Sequence, residues 1–452
     1  DDVKRVLVGN HRNYTKGLGF DRVRILLGTG DRGHWGDMGV GILKSTDWGE
    51  TWQTTDLGYT DPLDFYVGRI LIHPSIPTRM YAATSLGIYK SIDAGESWEL
   101  LYSCRGIDME FHPTDPSIIY VSTRGDDFGN TNVIRTTDNG VNWDKSKFSH
   151  SGCRTEIAVS PDQPDWIYAL TSNWQRGLQG IYLSTDKGLT YTLLLDGSDS
   201  TNNILNGACE PNNFKGGQGS YDLCIIANPN NADEVMIGGV NLWKSYDAGE
   251  NWEVTTTWDG NCTGVQQVHA DHHWLDYQYD SDTVFVCNDG GVYYSYDFGE
   301  TWTDITNGLF ITQIYRVTNA PNSYGEALFG CQDNGTRRWH NGTFYQIGGG
   351  DGTDCLINPS DQNKQYFTSN GCLMQYTTDG WATGHEFSVT NDSTDSWYKA
   401  IALVPPSTVY FGLTNLWKST DNGATLNLLW DLPDTTLIRR IVPAPSSPNI
   451  IY

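Results

Sequence analysis

Ser295-Tyr-Asp-Phe-Gly-Glu-Thr-Trp302 is one copy of an eight-residue phrase, Ser/Thr-x-Asp-x-Gly-x-x-aromatic, that returns along the whole chain. Other clear copies begin at Ser45, Ser91, Thr136, Ser184 and Ser245. Weaker ones begin at Thr377, where the aromatic is missing, and at Ser419, where Leu426 replaces it. Successive starts lie 46, 45, 48, 61 and 50 residues apart, and the last two lie 42 apart. The 82-residue gap between Ser295 and Thr377 has room for one more unit, and Trp339-His-Asn-Gly-Thr-Phe344 sits there as a decayed copy would. Within the phrase, Asp and Ser/Thr side chains bond nearby backbone amides and Gly supplies the positive φ of a tight turn. The aromatic then opens the next strand with a large apolar face. A period of roughly 40–50 residues in strand-rich units predicts an all-β fold, a β-propeller array.

Working outward from each phrase, the pattern is strand, polar turn, strand, Gly-rich turn, strand, phrase, strand. It places about ten four-stranded blades at approximately 3–57, 67–102, 106–149, 154–196, 221–257, 269–306, 315–347, 353–389 and 398–432, with a partial one at 437–452. Nothing resembles an interdomain linker, so the blades form one large ring or two abutting rings. The phrase aspartates, Asp47, Asp93, Asp138, Asp186, Asp247, Asp297, Asp379 and Asp421, read as structural. The largest insertion, Gly197 to Ser220, is rich in Asn and Gly and carries Cys209. It is expected as a long surface loop, and such loops often bind ligands.

The 452 residues include 17 Trp, 25 Tyr and 49 Gly, which suits aromatic-rich sheets joined by tight turns. With 29 basic against 54 acidic residues the formal net charge is −25. That balance argues against nucleic acid or an anionic membrane surface as partner, and it attracts divalent cations. No run approaches the length of a membrane-spanning helix, so no membrane insertion is expected. Both ends are abrupt, and the chain reads as a piece of a longer polypeptide with other domains. Nine cysteines show no CxxC spacing. Cys104 and Cys153 open the first strands of adjacent blades, and Cys287 and Cys331 end second strands of adjacent blades. Such positions either meet as disulfides, which implies an extracellular setting, or stay as buried thiols. Asn13 and Asn341 head Asn-x-Thr sequons.

The C-terminal half interrupts the repeat with polar motifs: His269-Ala-Asp-His-His273, Asn288-Asp-Gly-Gly291, Gln332-Asp-Asn-Gly335 and Gly348-Gly-Gly-Asp-Gly-Thr-Asp354. The first and last fall where an innermost strand begins, and the middle two follow a second strand. Loops at those positions share one propeller face, so the motifs are expected to converge at a channel mouth if their blades share a ring. A strand's period of two would put His269, Asp271 and His273 on one side, as ligands of a possible divalent cation. The other reading is a wet channel lined by satisfied polar residues, with Asp-Gly and Asn-Gly merely making turns. Trp35, Trp174, Trp258 and Trp274, outside the phrases, either stack on ligands or pack between blades.

The phrase resembles the Asp-box of BNR-repeat propellers, found in sialidases, xyloglucan-degrading hydrolases and sortilin-type receptors. The resemblance covers nearly the whole chain. It implies that the boxes lie between a blade's third and fourth strands, away from the ligand face, and it covers enzymes and receptors alike. The sortilin type closes ten blades into one ring. A sialidase needs an arginine cluster and a Phe-Arg-Ile-Pro phrase, whereas here only Val23-Arg-Ile-Leu and Gly68-Arg-Ile-Leu appear. A xyloglucanase would set an acid and a base Asp across a cleft between two rings. The second half is also similar to secreted, glycosidase-like BNR-repeat surface proteins of bacteria, at His269, Asp271, His273, Asn288, Asp289, Gln332, Asp333, Asn334, Asp351 and Gly352, with Asp354 beside them. The expectation is an extracellular or cell-surface binding and adhesion propeller for a glycan or protein ligand. The alternative is a polysaccharide-degrading glycoside hydrolase.

Overall fold

The computed structural model describes residues 24–30, 39–58, 65–124, 130–211, 214–278, 283–309, 311–321, 323–370, 373–388, 399–432, 437–444 and 446–452. Residues 3–23 of the expected first blade, which include Asn13, and Trp35 and Cys372 lie outside them. The chain forms two compact units, Asp1–Asn307 and Gly308–Tyr452.

The fold is an all-β propeller, and its blades are antiparallel sheets whose strands pair in chain order. In the first unit, blade one contributes Ile25–Gly28, Gly41–Ser45 and Gln53–Gly58. The innermost strands of blades two to six are Val67–Ile72, Arg105–Phe111, Arg154–Val159, Cys224–Asn228 and His272–Tyr277, each heading a four-stranded sheet. In the second unit, blades seven to nine begin at Ile314–Asn319, Gly352–Ile357 and Ala400–Val404 and again have four strands each. A hairpin of Pro443–Ala444 and Ser447–Ile451 follows. Second strands such as Met80–Thr84, Ile167–Ser172 and Gln365–Ser369 are buried at every residue. Both faces of these strands pack on apolar residues, so simple in–out alternation is lost.

The phrase closes each turn from a blade's third to fourth strand. In the copy at Ser45, the serine hydroxyl accepts from the Gly49 amide at 2.8 Å and donates to Asp47 Oδ1 at 2.8 Å. The other copies repeat that bond, and Thr51 adds amide and hydroxyl donors to the Asp47 carboxylate. The fourth and fifth residues both take positive φ, as in Phe298 (49°) and Gly299 (92°). At Gly299 glycine holds the fifth place for a packing reason too, because Met236 Cε lies 2.1 Å from where a Cβ would stand. At Thr377 the order is exchanged. Trp381 occupies the fifth place at φ 70°, and Gly384 takes the eighth, under the Trp381 ring. The aromatic is not missing there; it packs from the other side of the turn, 5.3 Å from Phe367.

Adjacent blades are tied by side chains on inner strands. Asp108 Oδ2 accepts from the Ile157 amide at 3.1 Å, and Ser122 Oγ donates to Thr155 O at 2.7 Å. In the second unit Asp354 Oδ2 and Thr368 Oγ1 repeat this pair against Ile401 N and Lys399 O.

Cysteine pairing corrects the sequence reading. Among the described residues the disulfide is Cys209–Cys262, while Cys104, Cys153, Cys287 and Cys331 are thiols. The thiols of Cys153 and Cys331 turn to partners in their own blades. Cys153 Sγ lies 3.1 Å from Ser172 Oγ and 3.0 Å from Asn173 O, and Cys331 Sγ faces Phe329 O. Burial pushes the Cys104 thiol up to about 12.

Candidate functional site

The first unit places two connected polar groups on its innermost strands. The deeper one surrounds a cavity of about 100 Å³ lined by strands of blades two to six. Arg69 reaches across it, with its guanidinium 4.0 Å over the Trp274 ring and 2.6 Å from Glu110. Asp108, Glu156 and Asp276 also line the cavity. Arg69 thus faces four carboxyl groups, of which Glu110 bonds it directly. Burial, first of all, pushes Glu110 up to about 8, against the pull of Arg69 and with the help of its acidic neighbours.

Glu156 leads from this cavity to the second group, because it accepts from Arg154 Nε at 2.7 Å. Arg154 also donates to the carbonyls of Tyr221 and Leu223, at the start of blade five. There Asp222 is fully buried and faces Asp271. Burial and the Asp271 charge raise Asp222 well above the carboxylate range; burial and then Asp289 raise Asp271. Gln218 donates to Asp271 at 2.9 Å. Asp289 is held from two sides, by His273 Nε2 at 2.7 Å and by the Tyr221 hydroxyl at 2.5 Å.

The expected trio His269, Asp271 and His273 is not arranged by a period of two. The strand begins at His272, and Asp271 sits at φ 65°, which turns the chain before alternation starts. The His269 ring packs on Gly290, where a Cβ would stand 2.2 Å away. His272 is buried between, pushed down to about 3 by burial and then by the neighbouring imidazoles. Asn288 makes the turn: its side chain accepts from the amides of Gly290 and Gly291 and donates to His269 O.

In the second unit, Asp351 is buried and accepts from the Asp333 amide at 2.9 Å, while the Asn334 side-chain amide donates to Gln332 O at 3.2 Å. These residues knit the turns at 332–335 and 348–352 together. Asp354, expected on the channel face, is instead the brace to blade nine described above, and its pKa is raised by burial.

Above the acidic group lies a loop platform. Connections between second and third strands, and from one blade to the next, leave a blade at the end opposite the phrases. The insertion at 197–220 is fixed there by Cys209–Cys262, by a bridge between Arg176 and Gly216, and by Asn241 bonding Gly207 O. At this end of the blades Trp174, Phe214 of the insertion and Trp258 are 56%, 62% and 47% exposed. Trp258 Nε1 is anchored to Gly207 O at 3.2 Å, so the ring is positioned rather than loose. Trp274, by contrast, lies under Arg69.

Sequence reasoning missed Arg69, Asp108, Glu110, Arg154, Glu156, Gln218, Tyr221 and Asp222. A signal existed: charges at Arg69, Asp108, Glu110 and Glu156 interrupt otherwise apolar inner strands.

No protein-family model and no curated protein matches the sequence. Among solved structures, an ancestral GH74 enzyme is similar at 16% identity, over 94% of this chain and 72% of that one, with a TM-score of 0.51. A GH74 xyloglucanase from Xanthomonas campestris shares 16% identity over 90% of this chain and 69% of its own, with a TM-score of 0.38. PorZ, a surface component of the type-IX secretion system of Porphyromonas gingivalis, shares 12% over 94% and 54%, with a TM-score of 0.49. The first likeness speaks to the propeller fold alone. Among the described residues no helix is long and apolar enough to cross a membrane.

Proposed function

We propose that this chain is an extracellular binding propeller, part of a larger secreted or cell-surface protein, that holds a glycan or protein ligand on the loop platform of its first unit. The observation that carries this reading is a set of exposed rings at one end of the blades: Phe214 on the disulfide-fixed insertion, with Trp174 and Trp258 beside it, each held by its indole N–H. Aromatic faces stack on sugar rings and apolar side chains, and a fixed loop loses little entropy on binding. The nearby carboxylates of Asp271 and Asp289 offer acceptors for hydroxyl or amide donors. The cavity beneath, at about 100 Å³, falls short of the few hundred Å³ usual for enclosed ligand pockets, which favours a surface ligand.

One feature favours the hydrolase alternative: Asp222, an acid raised by burial, stands beside Asp271, the arrangement that proton donation to a leaving group uses. Both readings are tested on one polysaccharide panel, by retention on immobilised chain and by release of reducing ends. The binding reading expects retention without release, weakened about tenfold by Trp258→Ala or Trp174→Ala. Tyr296→Ala, on the phrase end of blade six, should leave retention unchanged. Release of reducing ends would install the hydrolase reading, and retention indifferent to both tryptophans would remove the platform from it.

A further inference from the structure

The clasp of a phrase uses its first, third, fifth, seventh and eighth residues, as Ser45, Asp47, Gly49, Thr51 and Trp52 show. The second, fourth and sixth places make none of those side-chain bonds, so the turn leaves their side chains open. In the first unit every phrase sets one large apolar residue at one of these places and leaves it exposed. They are Trp48, Ile92, Val141, Leu189, Tyr246 and Tyr296, from 46% to 75% exposed. Among the described residues, the phrases of the second unit at Thr377 and Ser419 expose none. Neighbouring phrases of the first unit are also linked from blade to blade. Lys44 bonds Glu96, Arg79 donates to Asn139 Oδ1 at 2.9 Å, and Arg135 donates to Lys187 O at 2.8 Å. Leu194 lies 3.0 Å from where a Cβ of Gly249 would stand, and the Tyr246 hydroxyl donates to Glu300 at 2.6 Å. Apolar side chains scattered singly on a surface are ordinary, but one on each of six linked turns makes a face kept for contact.

We propose that the phrase end of the first unit is a docking surface for a protein partner whose facing side is basic and carries apolar side chains. Charge decides the partner. The six phrases hold ten acidic residues and one basic residue, Lys187. The lysines that precede two of them, Lys44 and Lys244, are engaged with Glu96 and Glu300. Glu50 and Glu250 stand exposed beside the apolar residues of their phrases. The phrase aspartates keep the face charged in mild acid, since the Thr51 hydroxyl and then its amide hold Asp47 at about 2. A second copy of this chain, at a formal −25, and an anionic membrane are both repelled by such a face. A basic protein face is attracted and fixed in register by it, and the apolar residues supply the contact area that charge alone does not. This surface lies at the end of the blades opposite the platform and does not depend on what the platform binds.

The test titrates the whole chain into three labelled peptides of equal length, alternating Lys and Leu, Lys and Ser, or Glu and Leu. Binding is read by fluorescence anisotropy at about 0.15 M salt. The Lys–Leu peptide is expected to bind saturably, the Lys–Ser peptide at least about tenfold more weakly, and the Glu–Leu peptide not at all. Ile92→Ser, Val141→Ser and Tyr296→Ser combined should weaken Lys–Leu binding about tenfold and leave retention on polysaccharide unchanged. Trp48→Ser with Leu189→Ser gives the same readout in case the first set does not keep the wild-type Tm. No saturable binding of the Lys–Leu peptide would overturn the proposal. Equal binding of the Lys–Leu and Lys–Ser peptides would overturn it as a diffuse effect of the acidic surface. Binding of the Glu–Leu peptide, or Lys–Leu binding that neither serine set weakens, would overturn it as well.

Discussion

The carboxylate of Asp297 accepts from the Thr301 amide at 2.9 Å, the Thr301 hydroxyl at 2.7 Å and the Ser295 hydroxyl at 2.6 Å. One side chain thus satisfies a turn whose backbone cannot satisfy itself. Asp297→Ala should therefore cost about 1–2 kcal/mol in urea unfolding, by analogy with a lost helix cap, and leave retention on any ligand intact in the folded fraction. The same bonds set an acid limit. At Asp93 the Ser97 hydroxyl, and then its amide, hold the carboxyl at about 2, below the usual value near 4. A folded pKa below the unfolded one contributes stability above about pH 4 that is lost as pH falls towards 2. Thermal melts should show Tm dropping across that window, less steeply for Asp297→Ala than for wild type.

At the scale of elements, the decayed copy in blade seven shows what replaces a clasp. Strands Thr336–His340 and Thr343–Gly348 are joined by Asn341-Gly342 with both φ positive (49° and 93°), a two-residue hairpin suited to sheet twist. The insertion is the opposite case, a long loop that local chemistry cannot order by itself. Its order rests on Cys209–Cys262, which closes a sequence separation of 53. Non-reducing peptide mapping should recover that pair, with the buried thiols of Cys153 and Cys331 alkylated only after unfolding. Replacing both half-cystines by serine should lower stability by a few kcal/mol and speed amide exchange at 200–220. Unchanged exchange would mean that the Trp258 and Asn241 bonds suffice.

Across blades, the first unit gathers charge that no single blade contains. Glu110 faces Arg69, Asp108, Asp276 and Glu156 from four other points of the cavity wall. Its folded pKa, about 8, lies above the unfolded value near 4.3. A raised folded pKa contributes stability fully present below about pH 4 and lost as pH rises towards 8. Stability measured by urea unfolding should decline from about pH 5 to 8, and Glu110→Gln should flatten that decline. An equally steep decline in the variant would assign it to other groups.

What the sequence by itself determined is the propeller, because each phrase is a local object: its hydroxyl, carboxylate, paired positive φ and ring lie within eight residues and need no distant partner. Even the swap of Trp381 and Gly384 leaves the turn legible through Thr377 and Asp379. Motifs such as Asn288-Asp-Gly-Gly291 were legible as turns for the same reason. Only the tertiary structure decided which side chains share a site. Asp222 meets Asp271 across 49 residues, Glu110 meets Arg69 across 41, and Cys209 chose Cys262 over any equivalent position in the next blade. Such contacts depend on how inner strands of successive blades are placed and where a loop ends, and the energy of a buried charge depends on what stands opposite it. Neither quantity is carried by residue type or spacing; both arise when blades pack.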